Sequence, residues 1–511
     1  MPWNDGYNTE SDYTYTYCGD INPLKIQYTL LTNGFMPPDI KQACELGFGQ
    51  GLSINFHATN SDIAWTGNDF LPTHVSFASH IQKSAGTKIN LSDMSFKEMA
   101  NYSFEEKFDY ICLHGIWSWI SEDNREYIKS FFRQNLNDGG VVYLSYNTKP
   151  GWAAMLPMRD LLSKYIQSNL PIAASIDAKT REAIKLSTKL LKVKPLYLSA
   201  NPAAEKRLSD LERGDVSYIA HEYFNADWKT FYFSDVDASI DDCKLRYVGS
   251  TDFMAGIDDI NLTNQQRKMV AALYGQAMQQ DARDVFLNQS FRKDVWIKGG
   301  IRLSRRERNE EINKLNCILR DAKSQYDYEI KGNLGAGKLQ KEIYEPILDY
   351  LRRNKVATIG NIVTSVSKKI APDKAMEAIH ILLSKGDLIL VHDPVKWKEL
   401  EKYGRKINAF IHKKVINGYS CSFLYSALTG GGVQVNLLQQ LFVGISNTHS
   451  GIDSNQLAKK CLRILKSLGR NILDAGKPVD GHEAELEVIT NKANDFLVNE
   501  LESYKFLKIA Y

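Results

Sequence analysis

Residues 21–33 (INPLKIQYTLLTN) place Leu24, Ile26, Leu30 and Leu31 at helical spacing, and Gly34 with Pro37-Pro38 stops the run. The pattern then becomes one of short apolar runs alternating with amphipathic stretches. QACEL predicts a strand that enters Gly47-Phe48-Gly49-Gln50-Gly51, and LSINFHATN predicts the helix after it. IAWTGNDF predicts a second strand ending at Asp69, residues 72–85 a helix, and TKINLSD a third strand ending near Asp93. FDYICL (108–113) predicts the fourth strand and Asn124–Leu136 a helix stopped by Asp138-Gly139-Gly140. GVVYLSYN, rich in β-branched and aromatic residues, predicts the fifth strand. Strand and helix alternating in this way imply a parallel, doubly wound α/β sheet.

Beyond it, 152–212 reads as a helical insertion, and 213–253 as a return to the sheet through candidate strands KTFYF and KLRYVG. Residues 254–330 read as helical. KGNLGAG (331–337), with three glycines in seven residues, reads as a linker. Residues 338–395 read as three short helices and a strand, the order of a winged helix, and 396–511 as a further accessory domain. Several domains suit 511 residues, since one domain takes roughly 150.

Composition is that of a globular protein, 43% hydrophobic and 24% charged, which argues against disordered and disulfide-scaffold classes. The net charge of +3 gives no reason to expect a nucleic-acid partner. Residues 1–150, however, hold 10 Lys and Arg against 17 Asp and Glu, a net of −7 that would suit a cationic substrate or simply a solvated face. The basic Arg352, Arg353, Lys368 and Lys369 are likewise read as a solvated face. The seven cysteines (18, 44, 112, 243, 317, 421 and 461) show no CxxC pairing, so neither a metal site nor a disulfide framework is expected. The acidic, polar start lacks the pattern of a signal peptide, and no apolar run approaches a spanning length. A reduced, cytoplasmic protein without membrane insertion is the expectation, with a homodimer left open.

The chemistry concentrates at Glu45-Leu46-Gly47-Phe48-Gly49-Gln50-Gly51. A strand must turn sharply into a helix here, and glycines permit positive φ and close approach of a ligand. A dinucleotide loop would read G-x-G-x-x-G; this chain has Leu52 at the third glycine position and an acid, Glu45, before the first. An acid there suits a cationic ligand, and S-adenosylmethionine carries both a sulfonium and an ammonium. Asp69 is placed to accept from ribose hydroxyls, and Asp93 from the adenine amino group.

In these motifs the chain resembles class I S-adenosylmethionine-dependent methyltransferases of the group that carries a methyltransferase regulatory domain. The matching segments are ACELGFGQGLSINFHA (43–58), WTGNDFLPTHVSFA (65–78), FDYICLHGIWSWISEDNR (108–125) and GGVVYLSYNTKPGW (139–152). AHEYFNADW (220–228) and DVFLNQSFRKDVW (284–296) resemble the regulatory domain. The resemblance covers 13–300, and the group includes bacterial lysine methyltransferases of surface proteins of the rickettsial type. It implies a Rossmann-like domain with mainly helical C-terminal accessory domains. Glu45, Gly47, Gly49 and Gly51 would line the methionine end of the cofactor, with Phe48 and Phe70 in the same set. Asp69 would hold the ribose, Asp93 with Met94 the adenine, and Tyr13, Tyr15 and Tyr17 would cap the pocket. His114 would lie nearest the transferring methyl.

For the acceptor, Trp117, Trp119, Tyr146 and Trp152 stand on the loops after strands four and five, where an aromatic cage for an ammonium would be built. Ordinary packing is the alternative for each. His114 would act as base or donor, or cap its strand; Asn147 would orient an acceptor, or shape a turn. His221 and Glu222 resemble an acid–base pair but, read as strand neighbours facing opposite sides, are expected to be structural or interdomain. Protein lysine methylation is the favoured function. A saccharide or small-molecule acceptor, or a non-catalytic cofactor-binding scaffold, are the alternatives.

Overall fold

A computed structural model describes residues 14–511 except 60, 172, 321–325 and 475. The five apolar runs form β1 (Gln42–Leu46), β2 (Ala64–Asn68), β3 (Ile89–Ser92), β4 (Phe108–Leu113) and β5 (Leu136–Asn147). They pair in parallel in the order β3-β2-β1-β4-β5. α1 (Pro23–Thr32) precedes β1, and the intervening helices are α2 (Leu52–Thr59), α3 (Pro72–Ala85), α4 (Phe96–Asn101) and α5 (Glu122–Asn135). Side-chain caps fix their starts: Asn22 accepts from the Leu24 N–H, and Ser121 from that of Asn124.

Two further strands complete a seven-stranded sheet. β6 (Leu245–Ser250) was expected, but β7 (Phe291–Lys298) lies inside the stretch read as helical. β7 runs antiparallel between β5 and β6, so the sheet extends past residue 253 to 298. Its segment FRKDVWIK looks too charged for an interior strand. The charges are compensated: buried Arg292 pairs with Asp294 at 2.5 Å and Asp284 at 2.7 Å, and donates to the Tyr247 hydroxyl.

Between β5 and β6 the chain is helical for longer than predicted. α6 (Lys149–Trp152), α7 (Leu156–Asn169), α8 (Ile176–Val193), α9 (Leu196–Ala200), α10 (Pro202–Leu211) and α11 (Val216–Tyr223) enclose a core of Trp152, Met155, Leu162, Leu208, Leu211, Ile219 and Tyr223. Asp215 caps α11, and Ile219 and Tyr223 at i, i+4 give it an inward face. KTFYF is no strand. Phe231 makes one bridge to Thr148, and a helix begins at Phe233.

KGNLGAG is not a loose linker but a hairpin, Glu329–Gly332 pairing with Gly335–Lys338. Gly332 packs against Ile260 so closely that a Cβ would meet its carbonyl at 2.4 Å. The winged-helix-like unit takes its central strand from Asn316–Leu319, upstream of the expected start, between strands Val356–Thr358 and Leu388–Val391. Nor is the C-terminal region separate from the sheet domain. Leu52 and Phe56 of α2 and Ile81 and Ala85 of α3 share a core with Ile407, Ile411, Tyr425 and Leu428. α2 is therefore buried on all sides, with Ile54 directed into the core beneath the sheet. Among the described residues, no helix is long and apolar enough to cross a membrane.

Candidate active site

The turn from β1 into α2 has positive φ at Gly47, Gly49 and Gly51 (69°, 58° and 72°). It is held from below: the Gly47 and Phe48 N–H groups donate to the Asn68 carbonyl, and the Gly49 N–H donates to Asp69 Oδ2 at 2.8 Å. Asp69 Oδ1 accepts from the Leu71 N–H and lies 3.0 Å from His74 Nδ1. Asn68 donates to the Met94 carbonyl at 2.8 Å, which ties the end of β2 to the segment after β3. Asp93 is exposed there, and Phe70 is half-buried. Phe48 contributes only its backbone to the turn, because its ring is in the core against Gly67.

Glu45 stands beneath this turn, 5% exposed, with Oε2 lacking any hydrogen-bond partner. Burial, reinforced by the neighbouring Asp69, pushes its carboxyl up to about 8. A buried, unpartnered carboxyl oxygen under a cradle of glycines fits a ligand that brings hydrogen-bond donors and positive charge. The ammonium and sulfonium of S-adenosylmethionine are such groups.

A cavity of about 370 Å³ opens at the carboxyl ends of β4 and β5. His114 and Gly115 reach it from β4, Asn147 from β5, and Ser290 and Phe291 from the start of β7. The helical insertion supplies Trp152, Arg207, Tyr218, His221, Glu222 and Asn225. The loop after β4 joins the two halves of the site, since Ile116 packs on Gly47 while His114 faces the cavity. His114 Nδ1 lies 2.9 Å from the Tyr143 hydroxyl, and burial holds its ring down at about 4, so the imidazole is neutral at pH 7. Trp119 donates from Nε1 to the Glu222 carbonyl at 3.3 Å and tilts against Phe291.

The structure thus brings His114, Asn147, Trp119 and Trp152 together and excludes two residues expected beside them. Trp117 is 1% exposed and belongs to the core with Leu144 and Phe231, its loop fixed by Arg125 donating to its carbonyl. Tyr146 points away from Asn147, as alternate residues of a strand must, and donates to Asp294 at 2.8 Å behind the sheet. Tyr17 is engaged at the far side of α2, towards the C-terminal region. Its hydroxyl meets His57 Nε2 at 3.1 Å, and its ring wedges against Gly431 and Gly432. Tyr15 packs on Phe77 and Tyr419, and Tyr13 lies outside the described residues. Glu222 is the residue that sequence reasoning set aside. It lies on a helix, not a strand, and its carboxyl faces the cavity. The Asp215 cap and the Ile219–Tyr223 spacing were the available signals.

Comparison with known proteins agrees with this geometry. A family described as a predicted methyltransferase regulatory domain matches residues 215–298. An uncharacterized protein of Synechocystis, sll1526, is 32% identical over 503 residues, spanning 97% of both chains. The chain belongs to the same family as this Synechocystis protein, and it carries a predicted methyltransferase regulatory domain. An uncharacterized protein of Rickettsia prowazekii, RP789, is 27% identical over 58% of this chain and 53% of its own length. The solved structure of PKMT2 from Rickettsia typhi in complex with AdoHcy shares the fold. Its TM-score is 0.71 at 16% identity, covering 97% of this chain and 99% of that one. The likeness spans both the methyltransferase sheet and the C-terminal units, so the accessory region is part of the shared architecture. The regulatory-domain match begins at α11's cap and ends with β7, and so includes Glu222, Asn225, Ser290 and Phe291 of the cavity wall.

Proposed function

We propose that this methyltransferase transfers the methyl group of S-adenosylmethionine to lysine side chains of a protein. The observation that carries the reading is the cavity at the ends of β4 and β5. It is walled by Trp119, Trp152 and Phe291 and contains a carboxyl group. Aromatic faces and a carboxyl attract an ammonium or methylammonium on a slender apolar stem. Tyr218, 48% exposed at this cavity, gives a polypeptide an aromatic surface to rest on.

In this reading Glu45 and the Gly47–Gly51 turn hold the methionine end of the cofactor, Asp69 the ribose, and Met94, braced by Asn68, the adenine. Bound there, the cofactor supplies an electrophilic methyl on a sulfonium. The chain's own residues position the acceptor nitrogen in line with it and exclude water. His114, neutral through burial, borders the acceptor without repelling a cation.

Labelled S-adenosylmethionine incubated with the protein and a bacterial lysate tests this. Label in protease-sensitive material that yields methyllysines on hydrolysis supports it. Label only in small molecules or saccharide overturns it.

A further inference from the structure

We infer that Glu222, supplied by the regulatory domain, is the acceptor-site carboxylate that receives the substrate ammonium and takes its proton before methyl transfer. The inference rests on the amine-acceptor reading above and names the group that makes the amine reactive.

The geometry begins with α11. Its Asp215 cap and the buried Ile219 and Tyr223 fix the helix against the insertion core, which directs Glu222 into the cavity with His114 and Asn147. The backbone is pinned as well, since Trp119 donates to the Glu222 carbonyl. Asn147 faces the carboxyl and holds it down in part through its side-chain amide, whose Nδ2 meets no other partner. No cation neutralises Glu222 by direct pairing among the described residues. Arg207 lies over the Trp152 ring at 4.1 Å, and Arg159 lies over Trp228 at 4.4 Å. Among the described residues, the other titratable groups at the cavity or coupled to Glu222 are His114, Tyr218, His221 and Tyr223. Burial raises the carboxyl to about 8, while Asn147, Arg207 and Arg159 pull it back in part.

An ammonium cannot attack a methyl group, because its nitrogen has no lone pair. A lysine entering the cavity carries Nζ–H⁺, with an ordinary value near ~10.4 that burial lowers. The same burial raises Glu222, so the two groups approach each other in proton affinity. The N–H bond breaks and the proton passes to a Glu222 oxygen, leaving the electron pair on nitrogen. That pair forms the N–C bond as the C–S bond breaks, and the sulfur keeps its electrons as a thioether. The new methylammonium loses its proton on release. A hydroxyl acceptor would gain little from a base of this strength, so Glu222 also selects for amines.

The test uses the full chain, n-butylamine as a lysine-stem probe, and the isosteric Glu222→Gln. Parent and variant should bind S-adenosylhomocysteine equally, which certifies the variant's fold; Glu222→Asp serves if it does not. Butylammonium should bind the parent more tightly as pH rises from about 6 to about 9, as the carboxyl ionises, and then weaken as the amine loses its proton. Glu222→Gln should bind it at least ~10-fold more weakly, without the rise. Single-turnover methylation of poly-L-lysine should fall at least ~100-fold in the variant near neutral pH, the gap narrowing as pH rises and free amine accumulates. Equal butylamine binding and equal pH–rate profiles in parent and variant overturn the inference, even if lysine is methylated. Glu222-dependent butylamine binding in a parent that methylates no lysine leaves the inference standing and overturns the lysine reading.

Discussion

Gly47 and Ile116 meet so closely that a Cβ on the glycine would stand 2.4 Å from the isoleucine Cδ1. The contact locks the glycine turn to the loop that carries His114, so the two halves of the proposed site are positioned by one missing side chain. Gly47 also has φ of 69°, where an L side chain costs roughly 1–2 kcal/mol. Gly47→Ala should therefore fold with a lowered melting temperature and lose S-adenosylhomocysteine affinity by at least ~10-fold, about 1.4 kcal/mol. Titration calorimetry on the folded variant checks this. Unchanged affinity would mean that the loop contact does not shape the cofactor turn.

Glu45 makes the site costly at high pH. Its folded-state value of about 8 lies above the ordinary 4.5, so the native state holds a proton that the unfolded chain releases. Stability from this group is intact below about 4.5 and is lost as pH rises through about 8, at roughly 1.4 kcal/mol per unit of difference. Glu45→Gln, permanently neutral, should melt higher than the parent at pH 8 and near the parent at pH 5, while losing cofactor affinity. Thermal melts at the two pH values check the sign.

Where a short run is mostly apolar and turn residues bound it, the chain announces its structure. β1 to β5 were legible because each is an apolar run between glycine-, asparagine- or aspartate-rich turns, and the β1–α2 turn was legible because only glycines allow its backbone. β7 was not, because its charges read as solvent-facing, whereas Arg292 and Asp294 are buried as a pair and completed by Asp284, Tyr146 and Tyr247. The orientation of Tyr146 could have been read from the alternation along β5. The opposite fates of Trp117 and Trp119 could not, since both sit in a loop whose course is set by Arg125. Glu222 was missed through one wrong element assignment, which turned a cavity residue into a strand neighbour.

Those two tryptophans separate packing from acceptor binding. Trp117→Ala removes a fully buried ring and should cost about 3–5 kcal/mol of stability. Trp119→Ala removes a cavity wall that still reaches solvent, 8% exposed, and should leave S-adenosylhomocysteine binding nearly intact. Its methyl transfer should slow by at least ~10-fold, a loss of ~1.4 kcal/mol in transition-state stabilisation. Melting temperature, cofactor affinity and single-turnover rate on the same preparations check both. A destabilised but fully active Trp119→Ala would remove the ring from the acceptor site.

The accessory region should prove inseparable from the methyltransferase sheet. Cutting the chain at 331–337 would strip strand Asn316–Leu319 of both its partners, Val356–Thr358 and Leu388–Val391. It would also uncover Leu52, Phe56, Ile81 and Ala85, which now pack with Ile407, Ile411, Tyr425 and Leu428. Leu52, Phe56 and Ile81 each contribute about 1.5–3 kcal/mol by burial, so their joint exposure is comparable with a domain's whole marginal stability. Tyr17 adds a further tie, with its hydroxyl on His57 and its ring against Gly431 and Gly432. A 1–330 fragment should therefore aggregate or bind a hydrophobic dye when expressed alone. Co-expressed with 338–511, it should recover as a complex that binds S-adenosylhomocysteine. Because α2 begins at the glycine turn, fraying of its C-terminal side in the fragment should be felt at Gly51. Hydrogen exchange in 47–59, compared between the fragment, the complex and the intact chain, measures that coupling. Native-like protection and cofactor binding in the isolated fragment would show that the C-terminal region only decorates the enzyme.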